Sequence, residues 1–378
     1  SSVSLCHRPQ YVRLMKFLHK RGFTSTLLQP ARFTGTTQFT KTQDPGELLI
    51  SLPESCLLTS STVLDSYLGE CIKRWKPRLS PLLVLCVFLV CERHRGEASD
   101  WSPYIEVLPA AYTCPAYFTD DVMAVLPESV RRRASEQRRQ SLQPILSQPV
   151  KEVLTYEALR WAWCSVNTRS VFMSHPSNPL LSGHDVYALA PFLDLLNHRP
   201  DVQVQASFNE ATRCYEIRSV SGTHQYKQAF INYGSHDNQR LMLEYGFVAS
   251  DNPHSVVYVD TGELGQETGK YVWPVKQSLD QKIRFLRENN FLHNLTVSCE
   301  GPSWRLMTAL RLLTVLLGQA VCEDREQWSV QTAITLCHRL LQDTHKANPT
   351  LGLSFQTCVR IWSTFPHMKD VFCFFLQF

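Results

Sequence analysis

Three short segments carry polar residues that could do chemistry: Asp194-Leu195-Leu196-Asn197-His198, Ile231-Asn232-Tyr233-Gly234 and Tyr245-Gly246-Phe247. The first closes an apolar run with adjacent Asn and His. Such a pair needs partners, because an unpaired buried polar group costs about 1–3 kcal/mol. The second puts a Tyr-Gly at the end of a β-like segment, and the third sets an aromatic on either side of a glycine. A further residue, Arg169, ends an apolar helical stretch. If the ligand were one that carries a methyl group on a positively charged sulfur, each of these residues would have a part. The Asn197 amide can bond an amino-acid end, and backbone groups beside His198 can bond adenine. The Tyr233 hydroxyl can accept a weak C–H···O contact from a polarised methyl and orient an amine beside it. Arg169 can clamp a carboxylate. Each residue also has a plainer reading. Asn197 and His198 read equally as pins of a loop under a sheet, Tyr233 as a core tyrosine at a strand end, and Arg169 as a charge favouring a helix C-terminus.

The elements that must position these residues follow from periodicity. The chain has 378 residues, enough for two to three domains. Hydrophobic content of 44% against 19% charged is globular and argues against disorder. The spacing predicts a helix over 8–22, with Val12, Met15, Phe17 and Leu18 on one face and Gly22 ending it. A strand is expected over 47–53 after Asp44-Pro45-Gly46. From about residue 60 to 165 the pattern is mostly helical, with helices over Leu82–Cys91 and Thr155–Asn167. Residues 186–235 turn to β character. Val202, Val204, Ala206 and Phe208 alternate, Tyr215 and Ile217 alternate against Glu216 and Arg218, and Asn209 to Arg213 has hairpin length. After about residue 275 helices return, with Leu306, Leu310, Leu313 and Leu317 along one stripe and Ile334, Cys337, Leu340 and Leu341 along another.

Several classes are disfavoured. A net charge of +4 is too mild for binding nucleic acid by phosphate neutralisation alone. The arginines of 128–140 read first as a solvated helix face, and second as a contact for an acidic partner or nucleosomal DNA. The 13 cysteines include no Cys-x-x-Cys, so no structural metal site is expected. Many sit in apolar runs and read as small buried hydrophobes. With no secretory signal, a reducing compartment is expected, in cytoplasm and nucleus. The longest apolar run, Leu82 to Cys91, is far shorter than the ~20 residues that span a bilayer, so no membrane partner is expected. Gly265 to Lys270 matches a phosphate loop only superficially. The Ser1-Ser2 start and the apolar end at Phe378 read as points within a longer protein.

Taken together, the motifs resemble those of SET-domain protein methyltransferases, in the branch typified by the plant Rubisco large-subunit methyltransferase. The resemblance covers nearly the whole chain. It implies an α+β fold: a SET β-fold with a pseudoknot-like core, a helical insert and a C-terminal all-helical substrate-binding lobe. The implied division is 1–65 for the N-terminal part of the SET domain, 66–155 for the insert, 156–255 for the catalytic core and 256–378 for the helical lobe. S-adenosyl-L-methionine is the implied cofactor, and a protein or peptide presenting a lysine, histone or not, the implied substrate. Tyr233 matches the catalytic tyrosine. Arg169, Asp194, Asn197, His198, Tyr233, Tyr245 and Phe247 match the positions that hold the cofactor or line the channel. A working monomer without specific nucleic-acid binding is expected.

Two positions depart from the family pattern. The family has a Gly-x-Gly turn between its first two strands. In Phe33-Thr34-Gly35-Thr36-Thr37-Gln38-Phe39-Thr40 only Gly35 remains, and the segment is shorter by about three residues, a change that costs little chain entropy. No donor-binding residue is assigned there, and a scaffold that has lost donor affinity is the rival reading. The second departure is Val171, two residues after Arg169. Related lysine enzymes often have an aromatic there and an actin-histidine relative has Asn. An apolar Val171 cannot bond an imidazole, which tilts the expected target toward lysine over histidine.

Overall fold

The computed structural model describes residues 2–24, 28–33, 36–40, 46–124, 126, 128–146, 153–220, 227–259, 276–298, 300–314 and 323–347. It divides into two compact units. The first comprises Ser1–Tyr117, Ser135–Ser235 and Leu243–Gly246; the second comprises Phe118–Ala134, His236–Met242 and Phe247–Phe378.

The first unit is α+β. Its helix Pro9–Lys20 starts on a proline and buries Leu14, Phe17 and Leu18. Phe17 and Leu18 are inward as expected and Met15 packs against the core, but Val12 is 37% exposed and fully enclosed Leu14 takes its place. The inner stripe follows positions 14, 17 and 18, an i, i+3, i+4 set. A three-stranded antiparallel sheet joins Ser2–Ser4, Leu28–Phe33 and Thr36–Thr40, with Phe33 paired to Thr36. Thr34 and Gly35 of the shortened loop, like Asp44 and Pro45 of the expected turn, lie outside the described residues.

A second antiparallel sheet orders Leu48–Pro53, Cys214–Ser219 and Val204–Asn209. Its central strand buries Tyr215 and Ile217 as the alternation predicts. Its edge strand does not: Val202 lies outside it and Ala206 is exposed. An edge strand with one covered neighbour has less to bury, so alternation there overstates its core face. The hairpin turn is held by Asn209, whose Oδ1 accepts from the backbone N–H of Ala211 and Thr212.

The helical insert centres on Pro81–Arg95, capped by Ser80 and buried from Leu83 to Val90 on every side. Buried Glu92 takes hydrogen bonds from Tyr67, Arg95 and Ser99 at 2.8, 2.9 and 2.5 Å. This helix packs against Tyr156–Arg169, whose start is capped by Thr155. The Arg-rich stretch is one helix, Glu128–Leu146. On it, Arg133 lies 3.8 Å from the centre of the Tyr258 ring, and Arg138 donates to the Pro115 carbonyl.

The second unit has its own core, built from Val259, Leu286, Leu295, Val297, Leu306, Leu310, Leu336 and neighbours. Helices Lys276–Glu288, Trp304–Thr314 and Glu323–Ala347 supply most of it. The expectation of an all-helical lobe needs correction, because Val257–Tyr258, Thr296–Ser298 and Gly301–Pro302 form a small antiparallel sheet. Strands of two or three residues leave no period to read. On the last helix Ala333, Leu336 and Cys337 turn inward, while Ile334 is half-buried. Leu317 and the side chains of Leu340 and Leu341 lie outside the described residues. No described helix is long and apolar enough to cross a membrane, and no group of three or more His, Cys, Asp or Glu among the described residues could hold a metal ion.

The central strand makes a stability test. Ile217→Ala removes a side chain with no exposed surface and should cost about 2–5 kcal/mol in urea unfolding, while exposed Gln205→Ala on the edge strand should stay within about 0.5 kcal/mol.

Candidate active site

The site is assembled by a parallel pairing of only two residues per strand. Asn197–His198 lies beside Phe230–Ile231, with Phe230 opposite Asn197 and Ile231 opposite His198. Arg199 N–H extends the ladder to the Ile231 carbonyl at 2.9 Å. This brings the first motif against the second. The backbone N–H of Tyr233 then donates to Nδ1 of His198 at 3.1 Å. An accepting Nδ1 assigns the hydrogen of the neutral imidazole to Nε2. The Tyr233 hydroxyl donates to the Leu196 carbonyl at 2.6 Å, so its oxygen keeps lone pairs for accepting. Asn232 ties the turn beneath, donating to the Pro200 carbonyl and accepting from the Gly234 N–H at 2.9 Å.

Aromatic rings form one wall. The rings of His198 and Tyr233 lie 5.2 Å apart and those of Tyr233 and Tyr245 lie 5.1 Å apart, both tilted. Tyr245 ends a π-helical turn, Leu241–Tyr245, and Gly246 follows at φ +78°. A Cβ at Gly246 would sit 2.6 Å from Thr113 Oγ1 and 2.8 Å from the Cys114 nitrogen, so only glycine fits without movement. Thr113 donates to the Gly246 carbonyl at 2.7 Å and fixes this approach.

Behind the wall is a charged layer. Arg169, the last residue of its helix, donates from Nη1 to the main-chain carbonyl of Asp194 at 2.8 Å. The Asp194 carboxylate accepts from the Tyr104 hydroxyl at 2.8 Å. Burial pushes the Asp194 carboxyl up to about 6, although Arg169, Tyr104 and nearby backbone N–H groups pull the other way. For Arg169, burial opposes the charge, and Asp194 with the surrounding tyrosines more than offsets it, leaving the pKa above its ordinary value. Burial raises the Tyr233 hydroxyl well above the ordinary tyrosine range. Tyr112, bonded to Ser165 at 2.8 Å, is pushed up to about 12, chiefly by burial. The phenols therefore stay protonated at neutral pH.

Arg169, Asp194, Asn197, His198, Tyr233 and Tyr245 thus fall in one unit and are joined by short contacts, while Phe247, half-buried, belongs to the second unit. Val171 lies half-buried on the short strand Ser170–Phe172, paired with Ala188. Sequence reading missed Tyr104, Tyr112 and Thr113. All three come from the insert, and nothing local marks a tyrosine whose partner is 90 residues away.

The donor set fits the amino-acid end of S-adenosylmethionine. Nδ2 of Asn197 and Nε of Arg169 are buried N–H groups without a hydrogen-bond partner among the described residues. Two such donors in one unit suit a carboxylate or another anionic acceptor.

No protein-family model matches the chain. The human protein SET domain-containing protein 4 is 44% identical over 371 residues, spanning 91% of this chain and 83% of that protein. The chain belongs to the SET-domain methyltransferase family. A solved structure of the SET domain of Rubisco LSMT, bound to MeLysine and AdoHcy, has the same fold, with a TM-score of 0.65, 17% identity, and coverage of 97% of this chain and 88% of that one. More distant relatives differ in target. An actin-histidine N-methyltransferase of Danio rerio is 28% identical over 61% of this chain and 40% of its own length. A ribosomal lysine N-methyltransferase of Schizosaccharomyces pombe is 28% identical over 56% of this chain and 52% of its own.

The carboxyl of Asp194 gives a pH test. Its folded pKa lies above the ordinary value, so the folded state holds this proton more tightly than the unfolded state does. Its contribution to stability therefore falls, by roughly 3 kcal/mol in all, as pH rises from below 4 to above 6. A ¹³C-carboxyl NMR titration should place the Asp194 midpoint near 6, and Asp194→Asn should remove that slope from the pH dependence of unfolding. A midpoint near 4 would contradict the burial described for this group.

Proposed function

We propose that the chain is an S-adenosylmethionine-dependent protein lysine N-methyltransferase. The observation that carries this reading is Tyr233. Its hydroxyl is anchored to the Leu196 carbonyl one residue before Asn197, whose amide is a buried donor without a described partner. The residue that would orient the reacting groups and the residue that would hold the donor thus share one short segment of backbone.

When bound, S-adenosylmethionine supplies a methyl group on a positively charged sulfur. Asn197 and Arg169 would hold its amino-acid end, with His198 and Tyr245 beside it. Tyr233 stays protonated at working pH, so its part is to orient by accepting weak contacts at oxygen, rather than to take a proton as phenolate. A lysine at its reference pKa near 10.4 is almost wholly protonated at neutral pH. With a lysine side chain laid against the rings of His198, Tyr233 and Tyr245, desolvation would favour the neutral amine, the form that can attack. Holding amine and methyl in line supplies much of the rate, since effective molarities of about 10⁵ M or more are reached by aligned reactants.

Lysine is preferred to histidine because Val171 offers no hydrogen bond to an imidazole; the ribosomal lysine enzyme among the relatives supports this choice and the actin-histidine enzymes stand against it. The reading extends to a monomer of cytoplasm and nucleus, acting on histone tails or other proteins, with residues 256–378 choosing among them.

The test is methyl transfer from labelled S-adenosylmethionine to histone and non-histone proteins, with mass spectrometry locating the product. The methyl should fall on lysine Nζ. Tyr233→Phe, folded by circular dichroism, should lose about 10²-fold in turnover, the cost of misplaced reactants. Unchanged turnover removes Tyr233 from the mechanism, and a methylated histidine replaces the lysine reading with the histidine one.

A further inference from the structure

One contact joins the insert to the charged layer. Tyr104 has no exposed surface, lies edge-on to Trp101 with ring centres 6.4 Å apart, and donates to Asp194 Oδ2 at 2.8 Å. Asp194 sits in the 3-10 turn Leu193–Leu195. The main chain of this turn and its next residue provides two acceptors: Asp194 O for Arg169 Nη1, and Leu196 O for the Tyr233 hydroxyl. The turn begins at Phe192, a buried residue with φ +73°, a conformation that bulky side chains rarely adopt. Such backbone needs holding from outside, and its cost is of order 1–3 kcal/mol.

We propose that Tyr104 is a positioning residue: by holding the Asp194 carboxylate it fixes the turn whose carbonyls seat Arg169 and Tyr233. The inference deepens the methyl-donor reading of the site and rests on it. In that reading Tyr104 works through the turn, and the groups that hold the donor are those the turn seats.

The contact has a charge preference. The Asp194 carboxylate is faced by Tyr104 from the short helix Ser102–Ile105, by Arg169 from the long helix Tyr156–Arg169, by Tyr112 from the segment after the short helix, by Tyr233 beyond the parallel pair, and by the backbone N–H groups of Phe192 and Asp194. Burial favours the neutral acid; Arg169, the Tyr104 hydrogen bond and the backbone N–H groups favour the ionised form, and the balance falls near 6. Burial and the Asp194 charge hold the Tyr104 hydroxyl well above its ordinary range, so it remains a donor. Losing that donor raises the Asp194 midpoint, so that at working pH a larger share of Asp194 is neutral and the turn is held less firmly.

The experiment is binding of S-adenosylhomocysteine from pH 5.5 to 9 by the wild-type chain, Tyr104→Phe and Asp194→Asn, with folding checked by circular dichroism. Tyr104→Phe should bind roughly threefold or more weakly at pH 7, and the deficit should shrink, without vanishing, toward pH 9 as the Asp194 carboxylate, still faced by Arg169, ionises fully. Asp194→Asn should bind weakly with a flat profile. A purely structural role would weaken Tyr104→Phe equally at all pH. That result, or a wild-type profile in either variant, overturns the inference. If Tyr104→Phe does not fold, Tyr104→Met, an adaptable apolar side chain without a hydroxyl, is read in its place with the same outcomes. If the wild-type chain does not bind, the donor reading fails separately, and the Asp194 carboxyl midpoint in Tyr104→Phe still decides: a shift upward supports the positioning role, and an unchanged midpoint overturns it.

Discussion

Two residues of parallel ladder, Asn197–His198 against Phe230–Ile231, bring together segments more than 30 residues apart, and the contacts between Tyr233 and the first motif start from that register. A parallel pair needs a crossover to return the chain. Here the chain between the two strands includes the hairpin Val204–Asn209 and Cys214–Ser219, which pairs with Leu48–Pro53 and is rooted in the core through Tyr215 and Ile217. The ladder itself is too short to be strong. It persists because both flanks are tied: His198 Nδ1 takes the Tyr233 N–H, the Tyr233 hydroxyl takes the Leu196 carbonyl, and Asn232 reaches the Pro200 carbonyl. A slip by one residue would reverse the facing of the side chains and dissolve all three.

The electrostatics follow from the same enclosure. Arg169 is kept charged by Asp194 and the surrounding tyrosines, the Asp194 carboxyl is raised by burial to about 6 against the pull of Arg169 and Tyr104, and Tyr233 is kept protonated. The layer behind the ring wall therefore carries fixed charge and fixed hydrogen-bond donors before any ligand arrives. Such preorganised polarity is worth more in a water-excluded site than in solvent, because it requires no reorganisation during reaction.

The motifs were legible in the sequence because each is local. Asn197 with His198, Tyr233 with Gly234, and Tyr245 with Gly246 are neighbours whose residue types declare a turn or a strand end. Their meeting was inferred from family resemblance alone, since no periodicity encodes a parallel pairing of two residues. The insert's contribution was not legible. Tyr104 reads as one more aromatic in a helical stretch, and only the folded chain sets it on Asp194. The errors in element faces have a similar origin. Val12 looked like core because it is apolar, yet the first helix turns Leu14, Phe17 and Leu18 inward. Ala206 fitted an alternating strand, but that strand is an edge. The small sheet of the second unit had no signal, being built from strands too short to show a period.

The central claim is that this frame binds a methyl donor. Isothermal titration of the chain with S-adenosylmethionine, with S-adenosylhomocysteine in parallel, tests it most directly. The buried donors of Asn197 and Arg169 predict micromolar binding of both, with one site per chain. Absence of heat from well-folded protein at high micromolar ligand would contradict the claim, and would leave the chain as a SET-like scaffold that has lost its donor.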